Sequence, residues 1–229
     1  MKATILKTIK ETPRVYSIWV RLETPISFKT GQCMRWNWPG VTVGKLFSMA
    51  NHGGENVTDL MFTIRIFADG VISSHIPDLK TGDTVDVQGP YGKFTFDDTD
   101  THDIVLIAGG TGVSVLRAIL MHVLEKKLPN KVHLLFSVLN HNEVIYKDEL
   151  EQLAQQYPNF KYDLVLTQSE GDWYGYSGYI NEGMFDELFA GYKQTFFVCG
   201  PPPFIKLSED ILKSKGVGED RIKIDRWVF

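Results

Sequence analysis

The stretch "IAGGTGVSVLRAIL" sets Gly109, Gly110 and Gly112 between a continuous apolar run and a segment with helical spacing. A turn this tight needs positive backbone angles or the absence of a Cβ, and its amides, with the helix N-terminus behind them, can face a diphosphate. The spacing departs from the six-residue G-x-G-x-x-G fingerprint, because Val115 takes the third glycine position and no acidic residue is well placed on the next strand. Taken alone, the motif equally describes a plain strand-to-helix turn. In "FFVCGPPPFI" an apolar strand ends at Cys199 and Gly200 and is followed by Pro201, Pro202 and Pro203. Consecutive prolines lack amide hydrogens and stiffen the chain into a wall suited to a flat ring, with a helix expected at or just after Pro203. Cys199 by itself reads as a small buried apolar residue. "KLFSMAN" places the Ser48 hydroxyl after Lys45, Leu46 and Phe47. In isolation this is an ordinary strand end.

These stretches fall in two halves of different character. Up to about Asp98, "VYSIWVRLE", "QCMRWNW", "LMFTIRIF" and "TVDVQG" are short alternating or aromatic strands, with Gly31, Gly40, Gly53, Gly70 and Gly82 between them. Many short strands with glycine turns predict a small antiparallel β-barrel. After the acidic link "DDTDTHD", "IVLIAG" is a buried parallel strand, "VSVLRAILMHVLEKK" a helix, "KVHLLFSVL" a strand and "KDELEQLAQQY" a helix. "YDLVLT", "TFFVCG" and "IKIDRWVF" follow as strands. This alternation predicts an α/β domain with a parallel sheet and helices on both faces. The expected domains are 1–98 and 103–229, with the chemistry in a cleft between them.

Bulk properties exclude several classes. The 229 residues carry a formal net charge of -4 and a pI near 5.9, with no local Lys/Arg cluster, so nucleic-acid binding is not expected. No window approaches the apolar length of a membrane span, and "MKATILKTIKETPR" lacks the features of a signal peptide, which predicts a soluble, cytoplasmic protein. Two cysteines fall short of the thiolates of an iron-sulfur cluster, and the six histidines lack metal-ligand spacing, so no metal is expected.

Seven motifs in order resemble the ferredoxin-NADP reductase superfamily, flavoproteins with a barrel for FAD and an α/β domain for NAD(P)H. They are "FKTGQ" (28–32), "KLFS" (45–48), "GVISS" (70–74), "GPYGKF" (89–94), "GGTG" (109–112), "CGPPP" (199–203) and the aromatic C-terminus "DRWVF". The resemblance implies that Ser48 hydrogen-bonds the reactive edge of the flavin, with Leu46 in the same segment, Phe47 against the ring and Lys45 at the diphosphate. Lys45 and Phe47 depart from the family's R-x-Y-S pattern: lysine is a point charge without arginine's fork, and phenylalanine has no hydroxyl. Gly70, Val71, Ile72, Ser73 and Ser74 are implied to receive the FAD diphosphate at the start of a short helix. Gly110, Thr111 and Gly112 would anchor the coenzyme diphosphate, and Cys199, Gly200, Pro201 and Pro202 would line the nicotinamide. Asp225 matches a position where relatives often place a carboxylate, implying a proton relay, although it also reads as a solvated strand-end residue. One of Trp227 and Phe229 is expected to stack on the flavin.

Ser114 stands where many relatives have proline, which makes the glycine loop similar to that of bacterial free-flavin reductases. "FSMAN" resembles the reductase components of multicomponent monooxygenases and of the sodium-pumping quinone reductase. The resemblance therefore implies hydride transfer from NAD(P)H to FAD and onward transfer to a separate acceptor protein. The alternatives are reduction of free FMN, FAD or riboflavin, and a nucleotide-sensing regulatory subunit without turnover. Thr167, Gln168 and Glu170 offer no guanidinium to a 2′-phosphate, which favours NADH, with NADPH as the alternative.

Overall fold

A computed structural model describes residues 1–169, 171 and 173–226. Contacts divide the chain into two units: Met1–Phe96 with Arg117–His122, and Asp97–Leu116 with Val123–Phe229.

The first unit is built on six strands: β1 (Lys2–Thr12), β2 (Val15–Phe28), β3 (Cys33–Asn37), β4 (Lys45–Ser48), β5 (Gly54–Arg65) and β6 (Thr84–Tyr91). Their order is β4-β3-β6-β1-β2-β5, and the neighbouring strands pair antiparallel. The two edges meet where Met49 bridges Phe62 and the Ala50 amide donates to the Met61 carbonyl at 2.7 Å. This closes the sheet into a barrel and removes its open edges. Alternation puts Ile18, Val20, Met34, Trp36, Leu60 and Phe62 inside, all fully buried. β1 has no counterpart among the predicted strands. Its outer half, Lys7–Lys10, is exposed throughout and so lacks the apolar alternation that marks a strand in sequence.

The second unit contains β7 (Ile104–Gly109), α1 (Val113–Glu125), β8 (Val132–Val138), α2 (Lys147–Gln156), β9 (Phe160–Leu166), β10 (Tyr176–Ser177), α3 (Glu182–Leu188), β11 (Thr195–Cys199), α4 (Pro202–Ser214) and β12 (Ile222–Asp225). Residues Arg117–His122 of α1 belong to the first unit. All sheet pairings are parallel, in the order β10-β9-β8-β7-β11-β12. Val105, Ile107, Leu135, Phe196 and Val198 pack with Phe185 and Phe189 of the α3 region and with Ile205, Ile211 and Leu212 of α4. Their alternates Leu106, Ala108, Leu134 and Phe136 are also buried, so both faces of the sheet are covered. α4 begins at Pro202, one residue ahead of the expected start, because proline fits the first turn of a helix. β10 and the seven-residue α3 were not among the expected elements; both are too short to carry a periodic signal.

Candidate functional sites

The strand order fixes where a ligand can bind on the second unit. From β7 the chain moves outward through β8, β9 and β10, then returns to the other side of β7 as β11 and β12. Loops leaving the C-terminal ends of β7 and β11 therefore diverge, and a crevice opens at such a switch point. The two loops are "GGTG" and "CGPPP".

Their backbones are in close contact. A Cβ at Gly112 would overlap the Cys199 carbonyl oxygen and lie 2.8 Å from the Gly200 nitrogen. A Cβ at Gly109 would stand 3.0 Å from both Pro201 and Phe204, and one at Gly200 3.1 Å from the Gly109 backbone. Gly110 differs from these. Its φ is +54°, and a Cβ there would meet nothing within 4 Å. The loop thus presses one glycine into the strand end and turns another toward open space, with the amides of the 13-residue helix α1 following at once. α4 offers no equivalent set of donors, since prolines occupy its N-cap and first two positions.

Cys199 is fully buried, pairs with Ala108 and Asp225 across the sheet, and brings its Sγ to 3.8 Å from the Asp225 carboxylate. Burial pushes its thiol well above the ordinary value, and the neighbouring Asp225 carboxylate pushes it further. Cys199 is therefore a protonated, neutral group. Trp227 and Phe229 lie outside the described residues, as does Glu170.

On the first unit, β4 carries Lys45 and Leu46 exposed and Phe47 and Ser48 half-buried. Phe47 packs edge-on against Trp36 at 5.9 Å, and Ser48 lies opposite Cys33 of β3. The Ser48 hydroxyl has no hydrogen bond among the described residues, and the Arg35 Nε on β3 is buried without a partner. Such unsatisfied polar groups are what a bound polar molecule would complete. The "GVISS" segment leads into a 3-10 helix, Ser73–Asp78, anchored by Ile76 in the core and by His75 stacked on Trp38 at 4.8 Å. Its two serines differ. The Ser74 hydroxyl donates its single proton to the Gly70 carbonyl at 2.6 Å, whereas Ser73 accepts from the Phe67 amide at 3.2 Å and keeps its proton. Ile72 is buried and offers a ligand only its backbone, while Val71 is exposed. Gly70 has no room for a Cβ, which would overlap the Ser73 hydroxyl.

The sequence reading passed over three polar residues that the structure brings into these regions. Arg35 has no sequence signal beyond its place in a strand. Arg117 and His122 do carry one, being the two ionisable residues within the apolar run of α1, and both are buried. Among the described residues no helix is long and apolar enough to cross a membrane, and no cluster of three or more potential ligands could hold a metal ion.

Comparison with known proteins gives the same division. The chain is 30% identical over 222 residues to the reductase component DmpP of phenol 2-monooxygenase from Pseudomonas, covering 94% of this chain and 62% of that protein. It thus spans less than two thirds of that relative's length. The Amycolatopsis cytochrome P450 reductase GcoB shares the fold with a TM-score of 0.88 at 24% identity, over 99% of this chain and 69% of that one. A ferredoxin NADP+ reductase from Neisseria gonorrhoeae does so with a TM-score of 0.79 at 20% identity, over 98% and 96%. The family model of the oxidoreductase FAD-binding domain matches residues 4–96 and that of the oxidoreductase NAD-binding domain residues 106–210. With both modules present in this order and together spanning most of its length, the chain belongs to the oxidoreductases that join an FAD-binding to an NAD-binding domain, and it has the fold of the ferredoxin NADP+ reductase.

Proposed function

We propose that this chain takes hydride from NADH onto FAD and passes the electrons to a separate acceptor protein. Bound FAD accepts two electrons from a reduced nicotinamide and can release them singly. The remaining tasks belong to the protein. Gly110–Gly112 and the N-terminus of α1 hold the coenzyme diphosphate by backbone amides and helix dipole. Pro201 and Pro202 present a rigid apolar face to the nicotinamide, and Cys199, kept neutral by burial, shapes that surface without placing a negative charge beside it. Ser48 steadies the reactive edge of the flavin through a hydroxyl that has no hydrogen bond among the described residues, and Phe47 supports the ring. Lys45, the backbone at Gly70–Ile72 and the free proton of Ser73 receive the FAD diphosphate. Asp225 is the candidate proton relay, reached through the Cys199 side of the site.

The observation that carries the reading is the meeting of the GGTG and CGPPP backbones at the switch point of a parallel sheet, in a chain with both an FAD-binding and an NAD-binding module. The acceptor is inferred from the phenol 2-monooxygenase relative, which is named as a reductase component. Anaerobic stopped-flow mixing of flavin-loaded protein with NADH tests the proposal. Bleaching of the flavin band within seconds is expected, and a band that persists under excess NADH and NADPH would refute it.

A second reading, release of reduced flavin to solvent, is favoured by the exposed Lys45 in place of arginine and by the engaged hydroxyl of Ser74. Dialysis separates the two. Retention of about one FAD per chain supports transfer to a protein acceptor, whereas loss of flavin with turnover of added FMN or riboflavin supports the second reading.

A further inference from the structure

Arg117 lies in a stretch of α1, residues 113–120, in which every residue is buried. A guanidinium has five N–H donors and is costly to bury without acceptors, so an apolar side chain would be the simpler filling for this position. Its Nη1 donates to the Ala50 carbonyl at 2.7 Å. Both residues belong to the first unit. Ala50 comes just after the barrel-closing bridge at Met49, where the ladder ends and a backbone carbonyl needs another partner. It is two residues beyond Ser48, at most about 7 Å along the chain.

A second tie holds the other end of the same segment. Thr30 Oγ1 accepts the Gly53 amide at 2.8 Å and is hydrogen-bonded to buried His122 Nδ1 at 2.6 Å. On the Ser48 side of these ties the Met49 amide donates to the Gln32 carbonyl at 3.0 Å. By contrast, Ser48 itself has no side-chain hydrogen bond among the described residues, so its hydroxyl is placed by the backbone on either side of it.

We propose that Arg117 is a positioning residue for the flavin's reactive edge. By fixing the Ala50 carbonyl it locks the strand end that carries Ser48. This rests on the role given above to Ser48, but the hold on the strand can be measured without flavin.

The test compares Arg117→Met, which removes the donors on a similar unbranched stem, with Arg117→Lys, which restores a cationic donor. Hydrogen exchange on flavin-free protein is expected to show the Met49 and Ala50 amides exchanging roughly tenfold faster or more in Arg117→Met, with partial recovery in Arg117→Lys. In flavin-loaded protein the rate of reduction by saturating NADH should fall on the order of tenfold, while the NADH dissociation constant changes less than about twofold. The double variant with Ser48→Ala should be no slower than the slower single variant, because both act through one hydroxyl. Unchanged exchange at Met49 and Ala50, or additive effects in the double variant, would overturn the proposal. If Ser48→Ala alone leaves reduction unaltered, the role of Ser48 fails, and the exchange result still decides whether Arg117 holds the strand. Should Arg117→Met not fold, Arg117→Lys carries the same comparisons at smaller amplitude.

Discussion

Gly112 lies against the carbonyl of Cys199 with no space for a side chain, although 87 positions separate them in the sequence. The contact joins the glycine loop after β7 to the end of β11, two strands that are neighbours in the sheet. Its consequence for mutation differs from that of Gly110, two residues away.

Gly112→Ala forces a methyl group into rigid backbone and is expected to destabilise by about 1–3 kcal/mol while weakening NADH binding. Gly110→Ala meets open space but holds φ at +54°, a strain of roughly 1–2 kcal/mol for a non-glycine residue. Asparagine tolerates that angle better, so Gly110→Asn should recover part of the loss. Thermal unfolding of the three variants, with NADH titrations, checks the order.

Ser48→Ala should leave stability within about 0.5 kcal/mol of the parent, because its hydroxyl has no hydrogen-bond partner among the described residues. Flavin reduction by NADH should slow on the order of a hundredfold, the lower end of the range for removal of one preorganised donor. Stopped-flow absorbance and thermal melts separate the two effects.

The two thiols should differ sharply in reactivity. Cys33 is half-buried and Cys199 fully buried, so a thiol reagent should modify Cys33 first and reach Cys199 only as the domain opens. Because burial and Asp225 raise the Cys199 value, its labelling should show little acceleration between about pH 7 and 9. Asp225→Asn removes one of the two causes and should increase the labelling rate. Mass spectrometry of peptides from the native protein reads both sites.

Alkaline pH should weaken the second unit. Burial, then Glu187, pushes the Tyr176 hydroxyl up to about 12, and burial, then Asp186, does the same for Tyr192. The unfolded chain loses these protons near 10, so above that pH it binds fewer protons than the folded chain and stability falls until the folded values are reached. Chemical denaturation midpoints between about pH 9 and 12 would show the decline, and Tyr192→Phe should lessen it.

NADH is expected to give the higher kcat/KM. Gln168 is exposed, and its amide donates to the Leu139 carbonyl at 2.8 Å, which fixes the backbone of this loop. Gln168→Arg would add a guanidinium suited to a phosphate dianion and should raise kcat/KM for NADPH relative to NADH. Paired steady-state assays would measure the ratio.

Much of the fold was legible in local patterns. "IVLIAG" is β7 to the residue, and "KDELEQLAQQY" contains α2, because apolar runs and amphipathic spacing reflect each segment's own burial. β1 was not legible, since half of it faces solvent. The engaged proton of Ser74 and the free one of Ser73 could not be told apart in "GVISS", because the difference is a hydrogen bond to Gly70. Arg117 was passed over although a charge in an apolar helix is a legible signal, and its partner on the strand end after Ser48 lies 67 residues away.

The sequence by itself determined the two kinds of architecture, the order of the modules and the residue types at each turn, because these follow from short-range periodicity and from the backbone limits of glycine and proline. Only the tertiary structure decided that β11 returns beside β7, that Gly112 seats on Cys199, and that the Cys199 thiol is sealed beside Asp225. Strand order and close approach are set by which distant apolar faces pack together, and no local window of sequence contains that information.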